Sequence, residues 1–240
     1  MKILSIGNSF SQDAHRWLHK LAQANGTELE CFNLFIGGCS LERHWNNVQN
    51  DAADYDLEIN AENIRKISIK EALEMEKYDV ITLQQVSQNS GRPQTYFPYL
   101  TKLAEYVRAA QPDAELYFHR TWAYEIDSEH GGFKYYNNDQ NEMYRRIMDS
   151  SEMAAEVIGA KLIPAGSAIQ LIRENIPEFD YKNGGLSLHR DGFHLSLDYG
   201  RFAAAACWYK TLIGEKLNIE KFEDFDPALI RKIIDAVESM

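Results

Sequence analysis

The chain has little of what cross-links or partitions a protein. Its 240 residues include only three cysteines, Cys31, Cys39 and Cys207. The count is odd and the spacing matches no metal site, so the three read as reduced, partly buried thiols. Six prolines are scattered, and neither an internal repeat nor a low-complexity linker occurs. Residues 1–240 therefore read as one domain, long enough for a substantial core. No apolar run is long enough to span a bilayer. Met1-Lys2-Ile3 leads straight into a strand-like segment with no signal-peptide pattern, so a cytoplasmic location is expected. Cations are outnumbered, 25 Lys and Arg against 36 Asp and Glu, for a net charge of −11. That argues against nucleic acid and anionic membranes as partners. Aromatic residues are plentiful instead, with 13 Tyr, 11 Phe and 4 Trp. Most suit a core, and some could wall a small-molecule pocket.

Strand-like and helix-like segments alternate. Lys2–Gly7 predicts a first strand, and Ser11–Asn25 a helix stopped at Asn25-Gly26. Glu30–Ile36 predicts a second strand ending at Gly37-Gly38. Residues 41–77 are a charged mixture with room for a small hairpin and a helix. Asp79–Gln85 and Glu115–Thr121 predict two more strands, and Lys161–Pro164 a short fifth. Helices are predicted at Pro98–Gln111, Asn141–Ile158 and near Ser167–Glu174. Ser196 is positioned to cap a long, buried helix containing Phe202–Leu212, and Asp226-Pro227 opens a last one. The alternation implies an α/β fold, a doubly wound parallel sheet of five strands with helices on both faces. Ligands of such sheets bind beyond the carboxyl ends of the strands. Gly7-Asn8-Ser9, Gly37-Gly38-Cys39, Gln84-Gln85-Val86 and His119-Arg120-Thr121-Trp122 all fall at that edge.

Ser9 stands where a strand gives way to a helix, with free backbone N–H groups beside its hydroxyl. Acyl transfer from serine needs a base, a group to orient the base, and donors for an oxyanion. His194 is the candidate base and Asp191, three residues before it, the candidate orienter. His189 is the competitor as base but lacks a local partner. The backbone N–H groups of Ser9 and Gly38 and the Gln85 amide are candidate oxyanion donors, with Gln88 and Asn89 in reach on the same loop. Ser11 and Asp13 could cap the first helix and so free Ser9 from that duty. Trp122 and Tyr124 are candidate pocket walls, as is Phe133-Lys134-Tyr135-Tyr136. His15 and His19, four apart, could share a helix face toward zinc, but no third ligand is evident. Cys39 would need a histidine beside it to act as a nucleophile, and none is expected locally.

Together these residues resemble the SGNH hydrolases, also called GDSL-like esterases. Ser9 matches the nucleophile, Gly38 the glycine, and Asp191 and His194 the acid and base. The usual Gly-Asp-Ser here reads Gly7-Asn8-Ser9, and the usual Gly-x-Asn-Asp is replaced by Leu83-Gln84-Gln85-Val86-Ser87-Gln88-Asn89. Sialate O-acetylesterase-like and some acetylxylan esterase-like branches look similar in using glutamine there, which favours Gln85. A gapless match to the asparagine form favours Gln88. The resemblance implies a three-layer α/β/α sandwich of flavodoxin type, no cofactor, and a serine esterase that removes a short acyl group, acetyl by analogy, from a carbohydrate or small-molecule ester. The same machinery would also serve a thioesterase or lipase-like hydrolase, and an inactive carbohydrate-binding relative would keep the fold alone.

Overall fold

A computed structural model describes all 240 residues. Seven strands form one sheet: β1 Lys2–Gly7, β2 Glu30–Phe35, β3 Tyr55–Ile59, β4 Glu62–Ile67, β5 Val80–Leu83, β6 Glu115–His119 and β7 Lys161–Ile163, in the order β4-β3-β2-β1-β5-β6-β7. The five expected parallel strands are present as β2-β1-β5-β6-β7. The expected count of five is nevertheless too low, because an antiparallel hairpin, β3–β4, extends the sheet beside β2. Its two turn residues, Asn60 and Ala61, both have positive φ, as a type I′ connection requires. β4 reads Glu-Asn-Ile-Arg-Lys-Ile and is exposed at five of six positions, so its sequence carries no burial pattern.

Nine α-helices flank the sheet: α1 Ser9–His15, α2 Leu18–Ala24, α3 Leu41–Gln49, α4 Ile69–Met75, α5 Tyr99–Ala110, α6 Gln140–Val157, α7 Ala165–Asn175, α8 Tyr199–Ile213 and α9 Pro227–Glu238. The single helix expected over Ser11–Asn25 is two: α1 starts at Ser9 and ends at His15, and Trp17 begins a new turn. Along β1, Ile3 faces one core with α1, α2, α7, α8 and α9, while Leu4 and Ile6 face another with α3, α4, α5 and the end of α6. This is the period of two that a strand imposes. The apolar stretch of α8 is buried almost throughout, as its composition predicts. Asp198, not Ser196, caps that helix; Ser196 Oγ accepts from the N–H of Gly200, its second residue. No helix is long and apolar enough to cross a membrane.

Candidate active site

Asn8 follows β1 and caps α1, its Oδ1 accepting the Phe10 N–H at 3.0 Å. The cap is therefore neither Ser11 nor Asp13. Ser11 Oγ donates to Asn33 Oδ1 and also bonds Asn8 O. Asp13, fully buried, accepts from Arg190, Arg201 Nε and the Leu195 N–H. Capping by Asn8 leaves Ser9 at the first helical position with its hydroxyl free. Asn8 is also a hub. Its Oδ1 accepts from Gln84 Nε2 at 2.7 Å and its Nδ2 donates to Cys39 O at 3.0 Å, while Gln84 Oε1 accepts from His119 Nδ1. An amide can donate and accept at once, which a carboxylate cannot; this accounts for Asn at position 8.

Ser9 Oγ lies 2.9 Å from His194 Nε2, and His194 Nδ1 lies 2.7 Å from Asp191 Oδ2. Asp191 Oδ1 additionally accepts the backbone N–H groups of His194 and Phe193, at 2.8 and 3.2 Å. Burial by itself would raise the Asp191 carboxyl, but the hydrogen bonds from the His194 side chain and from these backbone groups outweigh it and hold the pKa below its ordinary value. The turn is possible because Gly192 has φ +83°. The Gly192 carbonyl accepts from Glu125 N–H at 2.8 Å, and the Phe193 carbonyl from Trp122 Nε1 at 2.8 Å. A hydroxyl bonded to an imidazole that is bonded in turn to a carboxylate is the arrangement that activates serine toward an acyl carbon.

The line opens into a cleft of about 340 Å³ lined by Ser9, Gly38, Gln88, His130, Phe193 and His194, among others. Gly38 sits at φ +63°, and neither its N–H nor that of Ser9 has a backbone acceptor. Gln85 does not reach this cleft. It is buried, its Oε1 accepts from Leu41 and Val86 N–H, and its Nε2 donates to the Thr95 carbonyl and hydroxyl. Asn89 is engaged with Arg92. Of the three candidate amides, Gln85, Gln88 and Asn89, Gln88 alone lines the cleft, set there by the short helical turn Ser87–Asn89.

Trp122 and Tyr124 are likewise not cleft walls. Both are fully buried. Trp122 stacks on Phe10 with ring centroids 4.3 Å apart while holding Phe193 O, so it braces both halves of the site. Tyr124 bonds Ser87 Oγ and packs on His130 and Phe193. Phe133 and Tyr136 are buried and only Tyr135 is exposed. His189 is buried against Glu125 Oε2 at 3.4 Å and is not in the cleft. Burial lowers its pKa even against that carboxylate. His15 and His19 lie on separate helices and bond Ser5 Oγ and Leu29 O respectively. Cys39 does have a local histidine, contrary to expectation: His44 Nδ1 lies 3.4 Å from its sulfur. The thiol is buried, and burial pushes its pKa up to about 12, so it is not a thiolate. The sequence does not single out His130 and Phe193, and it assigns Asn8, Gln84 and Asp13 no part in holding the Ser9 line together. A larger polar basin of about 460 Å³, which includes Glu125 and Arg173, contains none of the Ser9 line.

The model of the family described as "Domain of unknown function (DUF4886)" matches residues 2–230. A DUF4886 family protein from Bacteroides uniformis ATCC 8492, solved by crystallography, is 38% identical with a TM-score of 0.92, over 100% of this chain and 93% of that one. A Slackia heliotrinireducens protein whose name places it among the SGNH hydrolases is 23% identical with a TM-score of 0.60, over 88% of this chain and 98% of that one. Axe2, an acetylxylan esterase from Geobacillus stearothermophilus, is 14% identical with a TM-score of 0.55, over 92% and 97% of the two chains. At such identities the likeness is one of fold. No curated protein matches. The chain thus belongs to the DUF4886 family, and it carries that family's sequence on the α/β fold of the SGNH hydrolases.

Proposed function

We propose that the protein is a serine esterase that removes a short acyl group, best an acetyl, from a carbohydrate or similar small ester. The observation that carries the proposal is the continuous hydrogen-bonded line Ser9–His194–Asp191, at 2.9 and 2.7 Å, opening directly into the cleft. Ser9 Oγ attacks the ester carbonyl while His194 Nε2 takes its proton. Asp191 fixes the proton of His194 on Nδ1 and steadies the imidazolium. His194 then protonates the departing alcohol, and water repeats the attack on the acyl-enzyme. The N–H groups of Ser9 and Gly38 and the side-chain amide of Gln88 are the donors for the oxyanion. Gln88 replaces Gln85 in that role because the Gln85 amide protons are spent on Thr95.

A small cleft with Phe35 and Phe193 in its wall suits a short acyl chain better than a long one. The fold likeness to an acetylxylan esterase points the same way. The test is a series of 4-nitrophenyl esters from acetate to decanoate. Acetate is the preferred substrate, and Ser9→Ala lowers kcat by about 10⁴-fold or more. Unchanged turnover by Ser9→Ala ends the serine mechanism. A preference for decanoate replaces the short-acyl reading with a lipase-like one.

A further inference from the structure

The loop between β6 and α6 carries a second histidine into the cleft, and nothing in the Ser9 line uses it. His130 is half-buried and lines the same cavity as Ser9. The backbone N–H of Gly132 donates to its Nδ1 at 3.0 Å. A ring nitrogen that accepts an N–H is unprotonated, so the neutral ring carries its hydrogen on Nε2. No protein group accepts that hydrogen, and Nε2 is not a buried atom left without a partner. The ring is clamped between Tyr124 and Phe193, with centroids 4.8 and 4.7 Å away. Its loop is fixed to the turn that carries His194. Glu125 N–H bonds Gly192 O, and Ser128 packs so closely that a Cβ on Gly192 would lie 3.0 Å from its Cα. Phe193 also lies 4.0 Å from the His194 ring. His130 therefore stands on the His194 side of Ser9, where the alcohol leaves.

We infer that His130 is a substrate-binding residue whose Nε2–H donates to a hydroxyl or ring oxygen on the alcohol portion of the ester, selecting polyol esters over esters of featureless alcohols. The inference rests on the esterase reading above and deepens it. Burial lowers the His130 pKa and the neighbouring His194 lowers it further, against the opposing Asp191. A neutral donor suits this place, because the imidazolium that forms at His194 would be opposed by a second positive ring.

The test compares 4-nitrophenyl acetate with an O-acetylated methyl β-xyloside. His130→Phe keeps an aromatic ring between Tyr124 and Phe193 but removes the donor, whereas His130→Gln retains an N–H at comparable reach. His130→Phe lowers kcat/KM for the acetylated xyloside about tenfold more than for 4-nitrophenyl acetate, mainly through KM, and His130→Gln restores most of the difference. A parallel loss on both substrates, or no loss on the xyloside, overturns the inference. Titration of Ser9→Ala with the acetylated xyloside, followed by NMR, reads binding without turnover. Adding His130→Phe weakens that binding about tenfold. Equal binding with and without His130, or no binding by either protein, overturns it. Binding that depends on His130 in a protein whose wild type hydrolyses neither ester sinks the esterase reading and leaves this one standing.

Discussion

The two faces of the sheet are built from different material. On the face toward α3, α4 and α5, the central strands present Leu4, Ile6, Phe32, Leu34, Ile81, Leu83 and Phe118, all apolar. On the face toward α1 and α8, three strands in register present Asn33, Ser5 and Thr82, all buried. Ser5 Oγ bonds Thr82 Oγ1 and His15 Nε2, each at 2.8 Å, and Asn33 bonds Ser11. Both ends of α1, the helix that begins with Ser9, are thus hydrogen-bonded to the strands beneath it. Apolar packing is non-directional and stabilises any arrangement of about the right volume, whereas a satisfied polar row fixes one position and is costly when broken. Both faces bury an apolar core, and the face toward α1 and α8 adds to its core the polar row that places the Ser9 helix.

Acid is the widest way to break that comparison. Burial pushes the pKa of His15, His44 and His119 down to about 3. In the unfolded chain a histidine takes a proton near 6.5. Below that pH the unfolded state binds more protons than the folded one, so stability falls as pH falls. Each such histidine contributes about 1.4 kcal/mol per pH unit, and the three together about 4. Urea unfolding between about pH 6.5 and 5.5, above the range where most carboxylates titrate, should show most of this slope. Two of the three, His15 and His119, belong to the polar face. His189 and His130, whose pKa values burial also lowers, add to the slope, so His15→Gln with His119→Gln should remove about twice as much of it as His44→Gln. A slope unaffected by the double variant contradicts the assignment.

Single truncations sharpen the contrast. Phe118→Ala on the apolar face should cost about 3–5 kcal/mol of stability and leave kcat of the folded enzyme within about twofold. Asp13→Ala should cost a similar amount, since it strands Arg190 and Arg201 beside a hole. It should also lower kcat, because Asp13 ties α1 to Arg190 and Leu195 on either side of the Asp191–His194 turn. Small misplacements of reacting groups cost up to about a hundredfold. Equal kcat in the two folded variants would remove the division of labour between the faces.

Much of this is legible in the sequence. The five parallel strands are apolar runs bounded by turn residues, and Ser9, Asp191 and His194 stand at positions where chemistry is possible. A hairpin within residues 41–77 is among the sequence expectations, but its bounds and its place in the sheet are not legible, because an edge strand such as β4 buries almost nothing and its turn uses Asn60-Ala61 rather than glycine. The choice among Gln85, Gln88 and Asn89 was hidden because a three-residue helical turn decides which amide faces outward, and no local pattern announces it. Trp122 and Tyr124 fail for a related reason. An aromatic after a strand has the same sequence signature whether it walls a cleft or braces it from behind. His130 sits in a polar, glycine-containing loop that reads as plain surface until Tyr124 and Phe193 are seen on either side of it.

The smallest effect is the most specific to the polar row. Ser5→Ala removes one hydroxyl and leaves both Thr82 and the His15 ring short of a partner; His15 Nδ1 already has none. A buried group stripped of its hydrogen bond costs about 1–3 kcal/mol, more than the bond itself contributes when both partners are replaced by apolar groups of the same shape. Thr82→Val alone should therefore cost an amount similar to Ser5→Ala. The pair Ser5→Ala with Thr82→Val should cost less than the two added together, because neither hydroxyl then remains to be left unpaired. The same cycle on the opposite face, Ile6→Val with Leu83→Ala, has no such orphaned group. Any coupling there comes from shared cavity volume and should leave kcat unchanged. A Ser5–Thr82 cycle that is strictly additive would mean that the row is only packed, not bonded, and the two faces would differ in composition alone.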